Sequence, residues 1–454
     1  MSDTISTYHP ANGELIKEYS YWTNSEIEER FVLSNVVYGK WKKTPLKDRL
    51  ALLKKLANQL RVKRKSLANL IVLEMGKPLR DALVEVDKCA VLCDYYVENA
   101  EDALKNKPLE SSFASSYIAY MPKGIILGIM PWNFPFWQAF RFAVPAIIAG
   151  NITWLKHAPN TTECNLVIER MFEMAGFPKG VYQAIVVAVD QVEKIIAHPL
   201  IGGVSLTGSE RAGSAVASMA GKYIKTSVLE LGGNDACLIT RNAETEKAIE
   251  AAILSRMINS GQTCISTKRI FVPKERLSEY LEIAESILSG YTKGVLTDLD
   301  TKIGYMARED LADQLEKQYA KLVAHGAVVV KPLEREGNFL SPALLVMKEG
   351  DRFMIDEELF GPIVLMYPFT EIDLAVEEIN ASPFGLGASV WSEDNMEATE
   401  LANKLEVGCV AVNDFVKSDV SLPFGGTKRS GYGRELHTDA LLTFTNPKTI
   451  YHAK

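Results

Sequence analysis

The most constraining feature of the sequence is a regular alternation of short apolar runs with amphipathic segments, which begins at Lys123. Apolar runs separated by segments of helical period are typical of parallel strands that helices cover on both faces. The predicted strands are Ile125–Met130, Thr153–Lys156, Tyr182–Val187 and Gly203–Thr207, and the predicted helices lie near Trp137–Ile148, Glu163–Ala175, Asp190–Ala197 and Arg211–Ala220. The pattern predicts a doubly wound α/β sheet, which binds ligands at the carboxyl ends of its strands.

A second alternating unit begins near Leu231. Because 454 residues are too many for one compact core, we expect two or three domains. Two helical segments, Ser25 to about Arg80 and Asp81 to Ala103, precede the first sheet, and residues 1–23 are expected to be irregular. The strands of the second unit are predicted near Ala236–Ile239, Arg269–Val272, Leu344–Val346, Ile363–Tyr367 and Val410–Val412.

The composition of the chain argues against several kinds of binding partner. A net charge of −7 disfavours nucleic acid, and the longest apolar stretch, Phe134 to Gly150, is too short to span a bilayer. The N-terminus shows no signal-peptide pattern, and six cysteines are too few for a disulfide framework and have no metal-ligand spacing. We therefore expect a cytoplasmic protein with no nucleic-acid, membrane or metal partner.

One cysteine stands apart from the others. The helical run that begins near Ala243 ends in Asn259-Ser260-Gly261, and Cys264 follows before the next predicted strand. A thiol on a connection between a helix and a strand is placed for access, which suits a nucleophile. The alternative is an inert cysteine, since free cysteines are commonly buried and unreactive.

Three other loops carry candidate groups. Ser209, after Gly208, is placed as the N-cap of a helix that follows a strand, which suits either phosphate binding or ordinary capping. Glu230 ends a strand before two glycines and is either a general base or a solvated carboxylate. Asn133, fixed between two prolines, can donate to an oxyanion or satisfy its own turn. No histidine occupies a comparable loop, which weakens a cysteine-hydrolase interpretation.

Six motifs occur in one order along the chain. The motifs are Pro-Trp-Asn-Phe-Pro (131–135), Leu-Thr-Gly-Ser (206–209), Glu-Leu-Gly-Gly (230–233), Gly-Gln-Thr-Cys (261–264), Glu-Leu-Phe-Gly-Pro (358–362) and Pro-Phe-Gly-Gly-Thr-Lys-Arg-Ser-Gly (423–431). With these motifs, the chain resembles the NAD(P)-dependent aldehyde dehydrogenase superfamily over essentially its whole length.

The resemblance implies a role for each matching residue. Cys264 would be the nucleophile and Glu230 the general base, and Asn133 would join the Cys264 backbone N–H in the oxyanion hole. The Cys264 thiolate would add to the aldehyde, hydride transfer to the nicotinamide would leave a thioester, and Glu230 would activate water to release the acid. Glu435 would help proton movement. The cofactor would be held by Trp132, Lys156, Gly208, Ser209, Glu358 and Phe360.

The resemblance also implies an architecture of three parts. Residues 1–103 and 123–230 would form a Rossmann-type cofactor-binding domain, and residues 231–432 an α/β catalytic domain. Residues 104–122 and 433–454 would form a small β oligomerisation element. Its unpaired strand edges would extend across a partner in a homodimer or a dimer of dimers.

The finer resemblance is to bacterial succinate semialdehyde dehydrogenases. Arg141 matches an arginine that holds the substrate carboxylate in those enzymes, although it suits a helix surface or interface equally well. A second arginine of some relatives is Ile258 here, which leaves broad or other aliphatic specificity as the alternative. Pro159 replaces a glutamate that favours NAD, so the cofactor is NAD or NADP, with NAD slightly favoured by subgroup. A catalytically inactive binding protein on the same scaffold is the alternative from another class.

Overall fold

The computed structural model describes residues 4–454. These residues form two large β-sheets, a three-stranded sheet and several two-stranded ones. The helices are α1 (Asn24–Trp41), α2 (Leu46–Met75), α3 (Leu79–Leu104), α4 (Trp137–Ile148), α5 (Thr162–Met174), α6 (Val192–Ala197), α7 (Glu210–Lys222), α8 (Thr245–Met257), α9 (Leu277–Ser289), α10 (Glu309–His325), α11 (Ile372–Asn380), α12 (Asn395–Lys404) and α13 (Asp439–Thr443). The strands are β1 (Thr4–Tyr8), β2 (Leu15–Ser20), β3 (Lys107–Pro108), β4 (Ser115–Pro122), β5 (Ile125–Met130), β6 (Ile152–His157), β7 (Tyr182–Ala184), β8 (Ile201–Thr207), β9 (Thr226–Glu230), β10 (Ala236–Ile239), β11 (Arg269–Pro273), β12 (Val328–Lys331), β13 (Arg335–Glu336), β14 (Phe339–Leu340), β15 (Ala343–Val346), β16 (Ile363–Phe369), β17 (Phe384–Gly385), β18 (Gly387–Trp391), β19 (Cys409–Val412), β20 (Thr427–Lys428), β21 (Gly431–Tyr432) and β22 (Thr445–His452).

The first large sheet has the strand order β21-β9-β8-β5-β6-β7. Strands β9, β8, β5, β6 and β7 run parallel, and only the short β21 pairs antiparallel, with β9. Their residues are almost entirely buried, as expected of strands that helices cover on both faces. The carboxyl ends of β5, β6, β8 and β9 therefore gather the loops after Met130, His157, Thr207 and Glu230 at one edge.

The second large sheet has the order β12-β15-β16-β11-β10-β18-β19. It is parallel except for β12, which pairs antiparallel with β15. The sequence pattern did not identify β18, although it lies between β10 and β19. Gly385 and Gly387 interrupt its apolar run, and glycine weakens the strand signal because it has no side chain to pack. The doubly wound α/β class predicted for the chain is confirmed.

The third sheet joins distant parts of the chain. Strand β22 pairs antiparallel with β4 along the whole length of both, from Thr445 opposite Pro122 to His452 opposite Ser115. The short strand β3 pairs antiparallel with the other edge of β4. The two segments predicted to form a β element, 104–122 and 433–454, therefore pair as strands within one chain. Their extension across a partner subunit stays a prediction.

The N-terminal segment differs from its expected irregular form. Within the described part, β1 and β2 form an antiparallel hairpin around a turn at Asn12-Gly13, where Gly13 has a φ of 72°. Ile5 of β1 and Tyr19 of β2 pack on Val186, so the hairpin contributes to a small core that its polar composition concealed. None of the helices in residues 4–454 is long and apolar enough to cross a membrane.

Candidate active site

The loop before Cys264 has an unusual backbone. Asn259, Ser260 and Gly261 have φ values of 55°, 57° and 75°, so three consecutive residues adopt the left-handed conformation that side chains normally disfavour. Hydrogen bonds hold this turn in place: Asp81 Oδ2 accepts from Asn259 N at 3.2 Å, and Ser260 Oγ accepts from Gly304 N at 2.8 Å. The surrounding protein therefore fixes where the chain leaves α8 and where Cys264 lies.

Cys264 opens into a cavity of about 630 Å³. Burial raises the pKa of its thiol to about 12, and the Lys268 ammonium opposes that rise. The cavity wall is mainly apolar but contains several charged groups. It is lined by Arg80, Asp81, Val84, Glu85, Asp87, Lys88, Val91, Phe134, Trp137, Gln138, Arg141, Leu254, Ser255, Ile258, Thr263, Cys264, Ile265, Ser266, Phe415, Val416, Lys417, Ser418, Asp419, Val420 and Phe424.

Asn133 lies directly beside the cysteine loop. Its Nδ2 donates to Gln262 O at 3.0 Å, and its own carbonyl oxygen accepts from Asn259 Nδ2 at 2.9 Å. The side chain is buried, so its amide is held in one orientation. One N–H of the Asn133 amide remains for a further acceptor, together with the backbone N–H of Cys264. The arrangement can therefore donate to an oxygen on a carbon bonded to Cys264.

The loop that carries Asn133 is anchored by a charged pair that sequence reasoning missed. Glu85 Oε1 accepts from the backbone N–H groups of Phe136 and Trp137 at 2.8 and 3.1 Å, and its Oε2 forms a buried ion pair with Lys77. Both charges are completely buried, which is rare unless they are paired. A glutamate within a helical period gave no sign of this role, because helix-surface glutamates are common.

Glu230 ends β9 and is 2% exposed. Its Oε1 has no hydrogen-bond partner in the described chain, and a Cβ added to Gly425 would come within 2.7 Å of it. Burial raises the pKa of Glu230 well above its ordinary value; the nearby Arg141 opposes that rise and Glu435 adds to it. Glu230 is therefore not the solvated strand-end carboxylate that was the alternative. It lies outside the lining of the cavity described above.

Arg141 is turned inward from α4 and is 2% exposed, which excludes the helix-surface alternative. Its Nε forms an ion pair with Glu435, and its Nη2 donates to Thr207 Oγ1 at 3.4 Å. The guanidinium also lies 4.9 Å from the centre of the Phe424 ring. The side chain reaches the cavity wall, but a carboxylate of the same chain already balances its charge.

The predicted cofactor side is formed by the turn before α7. Ser209 caps the helix by accepting from Ala212 N at 3.4 Å, and Gly208 N donates to the carbonyl oxygen of Glu230 at 2.9 Å. A Cβ added to Gly208 would meet only the Leu206 side chain, at 3.7 Å, which is an ordinary contact distance. The N-terminus of α7 lies at this turn, and a helix N-terminus favours an anion such as pyrophosphate.

Lys156 lies at the end of β6, close to that turn in the sheet order. Burial lowers the pKa of its ammonium, yet among residues 4–454 it has no carboxylate within ion-pair distance. Its Nζ makes one long hydrogen bond, of 3.4 Å, to the carbonyl oxygen of His157. A partly buried ammonium without a strong partner is free to bind ribose hydroxyl groups.

A buried lysine connects Glu358 to the nucleophile loop. Lys268 donates to Thr263 O at 2.9 Å and to Cys264 O, and it forms a 3.2 Å ion pair with Glu358. Glu358 Oε1 also accepts from Gly233 N at 3.1 Å. Sequence reasoning missed Lys268, although a lysine at the start of an apolar strand is an unusual position for a charge.

Two rings lie beside this network. Trp132 and Phe360 meet edge to face, with ring centres 5.8 Å apart and planes at 89°. The resemblance implies that both residues hold the cofactor, and the structure brings their motifs together.

Comparison with known proteins identifies the group to which this arrangement belongs. The sequence profile of the aldehyde dehydrogenase family matches residues 1–450. The chain belongs to the aldehyde dehydrogenase family. It is therefore an oxidoreductase that converts an aldehyde to the acid with a nicotinamide cofactor, which confirms the predicted family and enzyme class.

Curated relatives extend along the full chain. A Synechocystis sp. protein named "Probable succinate-semialdehyde dehydrogenase [NADP(+)]" is 36% identical over 452 residues, covering 99% of this chain and 100% of its own. A succinate-semialdehyde dehydrogenase of Mycobacterium leprae, also named for NADP(+), is 37% identical with coverage of 99% and 100%. The solved structure of succinic semialdehyde dehydrogenase from Streptococcus pyogenes with NADP+ has a TM-score of 0.96, 32% identity and coverage of 99% and 100%.

Proposed function

We propose that the protein oxidises succinate semialdehyde, or a similar aliphatic aldehyde with an anionic tail, to the corresponding acid. The observation that carries this proposal is the cavity at Cys264, whose mainly apolar wall contains four basic side chains beside four acidic ones. An aliphatic chain fits the apolar part, and a carboxylate at its far end suits the cations. Relatives of the same length that are named for this substrate support the proposal.

Cys264 is proposed to attack the aldehyde carbon through Sγ as the thiolate, after its thiol proton has passed to water in the cavity. The oxygen of the resulting adduct carries the developing negative charge, and the Asn133 amide and the Cys264 N–H donate to it. Because Gln262 and Asn259 hold Asn133 rigidly, these donors need no reorganisation during the reaction. Lys268 supports the same loop from the opposite side through the carbonyl oxygens of Thr263 and Cys264.

The cofactor is proposed to lie from Gly208 to Phe360. Gly208, Ser209 and Lys156 would hold its pyrophosphate and adenosine ribose, and Glu358 its second ribose, beside Trp132 and Phe360. A nicotinamide bound there supplies the acceptor for the hydride of the aldehyde carbon. Loss of that hydride leaves an acyl group on Cys264 as a thioester.

Glu230 is proposed to activate the water that releases the acid. A carboxylate whose pKa is raised by burial is a stronger base than one in water, and its free Oε1 leaves an acceptor position for the water proton. Glu435 lies close enough to affect the pKa of Glu230, and its Oε1 accepts from Ser205 Oγ at 3.3 Å. A part for Glu435 in carrying the proton onward stays a prediction.

For the cofactor we infer that the protein accepts NADP+ at least as well as NAD+, in place of the slight preference for NAD taken from the sequence. Pro159 presents no carboxylate to repel a 2′-phosphate, and the Lys156 ammonium has no acidic partner in residues 4–454. The curated relatives quoted above are named for NADP(+).

One observation favours broad aliphatic specificity as a second candidate. Arg141, the predicted carboxylate anchor, already pairs with Glu435. An arginine neutralised within the protein attracts a substrate carboxylate less strongly than a free one. With Arg141 as the only anchor, charged and uncharged aldehydes of equal length would react alike.

Steady-state formation of reduced cofactor separates these candidates. We expect kcat/KM for succinate semialdehyde to exceed that for butanal, a four-carbon aldehyde without a charge, by about 10-fold or more, as expected of a charge-assisted contact. NADP+ and NAD+ are compared in parallel with each aldehyde. Equal kcat/KM values for the two aldehydes would support broad specificity and contradict the proposed substrate.

A further inference from the structure

The charged side chains in the cavity wall divide into two groups. All of the cations but one are paired with a carboxylate of the described chain. The ion pairs are Arg80 with Asp81, Asp87 with Arg64, Glu85 with Lys77, Arg141 with Glu435, and Lys417 with Asp414, and the remaining carboxylate, Asp419, accepts only from Ser421. These pairs cancel one another's charge, so they add little selectivity for a charged ligand.

Lys88 is the exception. Among residues 4–454 it has no carboxylate within ion-pair distance; its Nζ instead donates to Ser418 Oγ at 2.6 Å and lies 4.2 Å from the centre of the Trp137 ring. The groups that act on it electrostatically include Glu85 and Cys89 on its own helix, Arg141 on α4 and Asp419 in the loop beside Ser418. Of these, Glu85 and Arg141 are already paired.

Two further donors near Lys88 have no acceptor. Ser418 is buried, and its hydroxyl accepts from Lys88 but donates to no acceptor in the described chain. Trp137, whose ring contacts Lys88, is 4% exposed, and its Nε1–H has no hydrogen-bond partner in the described chain. Buried donors without acceptors lower the stability of the folded protein, so such groups usually meet a ligand or water.

We propose that Lys88, held in place by Ser418, binds the carboxylate of the substrate whose aldehyde group reacts at Cys264. This inference rests on the proposed function. It assigns the binding of the substrate carboxylate to Lys88 and not to Arg141, whose charge Glu435 neutralises. An incoming carboxylate supplies the anion that Lys88 lacks and the acceptor that the Ser418 hydroxyl lacks. The Lys88 ammonium is only partly buried, so the cavity stays open to an anionic ligand before binding.

The experiment uses succinate as a competitive inhibitor of butanal oxidation, so the anion site is tested with an uncharged substrate. Lys88→Met removes the charge and keeps most of the side-chain length, and Lys88→Arg keeps the charge. We expect the Ki of succinate to rise about 10–100-fold in Lys88→Met and much less in Lys88→Arg, because a charge-assisted hydrogen bond is lost only in the first. Thermal unfolding of each variant checks that it is folded.

Lys417→Met is the matched control, since Lys417 lines the same cavity but pairs with Asp414 at 2.6 Å. Its Ki for succinate should stay within about twofold of wild type, because exposed ion pairs contribute little. A Lys88→Met variant that is folded and keeps the wild-type Ki, or a wild type that succinate does not inhibit, overturns the inference. If inhibition depends on Lys88 while succinate semialdehyde is not preferred over butanal, the anion site stands and the proposed substrate fails.

Discussion

Among single residues, the buried Glu230 carboxylate determines how the rate of acid release should depend on pH. Burial raises its pKa well above the ordinary value, so the carboxylate that can accept a proton becomes populated only as the pH rises. We therefore expect hydrolysis of the thioester to accelerate with pH through the pKa of this group. A rate of hydrolysis that is flat from acidic to alkaline pH would contradict the assignment.

Replacement of Glu230 gives a sharper prediction at the same scale. In Glu230→Gln we expect one equivalent of reduced cofactor to form rapidly and later turnover to fall about 10²–10⁴-fold, because general-base help is lost only in the second step. Stopped-flow absorbance separates the two phases. A variant that loses the first phase as well would show that Glu230 acts earlier, on the Cys264 thiol.

Lys88 predicts a second effect of pH. Burial lowers its pKa to about 8, with Arg141 acting in the same direction and Asp419 and Glu85 opposing it. The ammonium is present below this pKa and lost above it. KM for succinate semialdehyde should therefore rise as the pH increases through about 8, while KM for butanal should not follow. In Lys88→Arg the rise should move to higher pH, since arginine stays charged.

At the scale of elements, the turn between α8 and β11 holds the nucleophile in a strained but braced conformation. Asn259 tolerates its left-handed φ better than most residues, and its side chain donates to Asn133 O at 2.9 Å. We expect Asn259→Gly, which relieves the strain but loses the hydrogen bond, to lower kcat about 5–10-fold. Wild-type kcat in Asn259→Gly would show that only the backbone conformation matters. Asn259→Ala, which keeps the strain, should be less stable than Asn259→Gly in thermal unfolding.

Elements with a regular pattern could be predicted from the sequence. The strand Ile125–Met130 and the helix Trp137–Ile148 have the predicted bounds. Buried parallel strands and core-facing helices can be recognised in a sequence by their continuous apolar runs. Strand β18 and the hairpin of β1 and β2 were missed, since glycines interrupt the first and polar residues dominate the second.

The parts of the site that could not be predicted from the sequence were missed for a different reason. The motifs located Asn133, Glu230 and Cys264, but not the partners that determine their charge. Lys88 and Ser418 lie 330 positions apart in the chain, and a lysine on a helix usually indicates a solvated surface. The pairing of Arg141 with Glu435 likewise depends on how α4 meets the chain after β21. Such contacts follow from tertiary packing, which no local pattern encodes.

At the scale of the whole molecule, the sheet formed by β22, β4 and β3 presents an open edge. Strand β22 pairs with β4 on one side, and in the described chain its other side has no strand partner. We propose that this edge supports a homodimer or a dimer of dimers, because unpaired strand edges are completed by pairing. Sedimentation of the full chain should give a dimer or tetramer, and deletion of residues 445–454 should shift it towards monomer. A monomeric full chain would contradict this.

Acylation of Cys264 by an anionic aldehyde can be observed in the Glu230→Gln variant by peptide mass spectrometry. The variant is quenched after mixing with succinate semialdehyde and NADP+. We expect one succinyl group on the peptide containing Cys264 and none on the peptides of the five other cysteines. Reduced cofactor formed without an acyl group on Cys264, or with one on another cysteine, would contradict it.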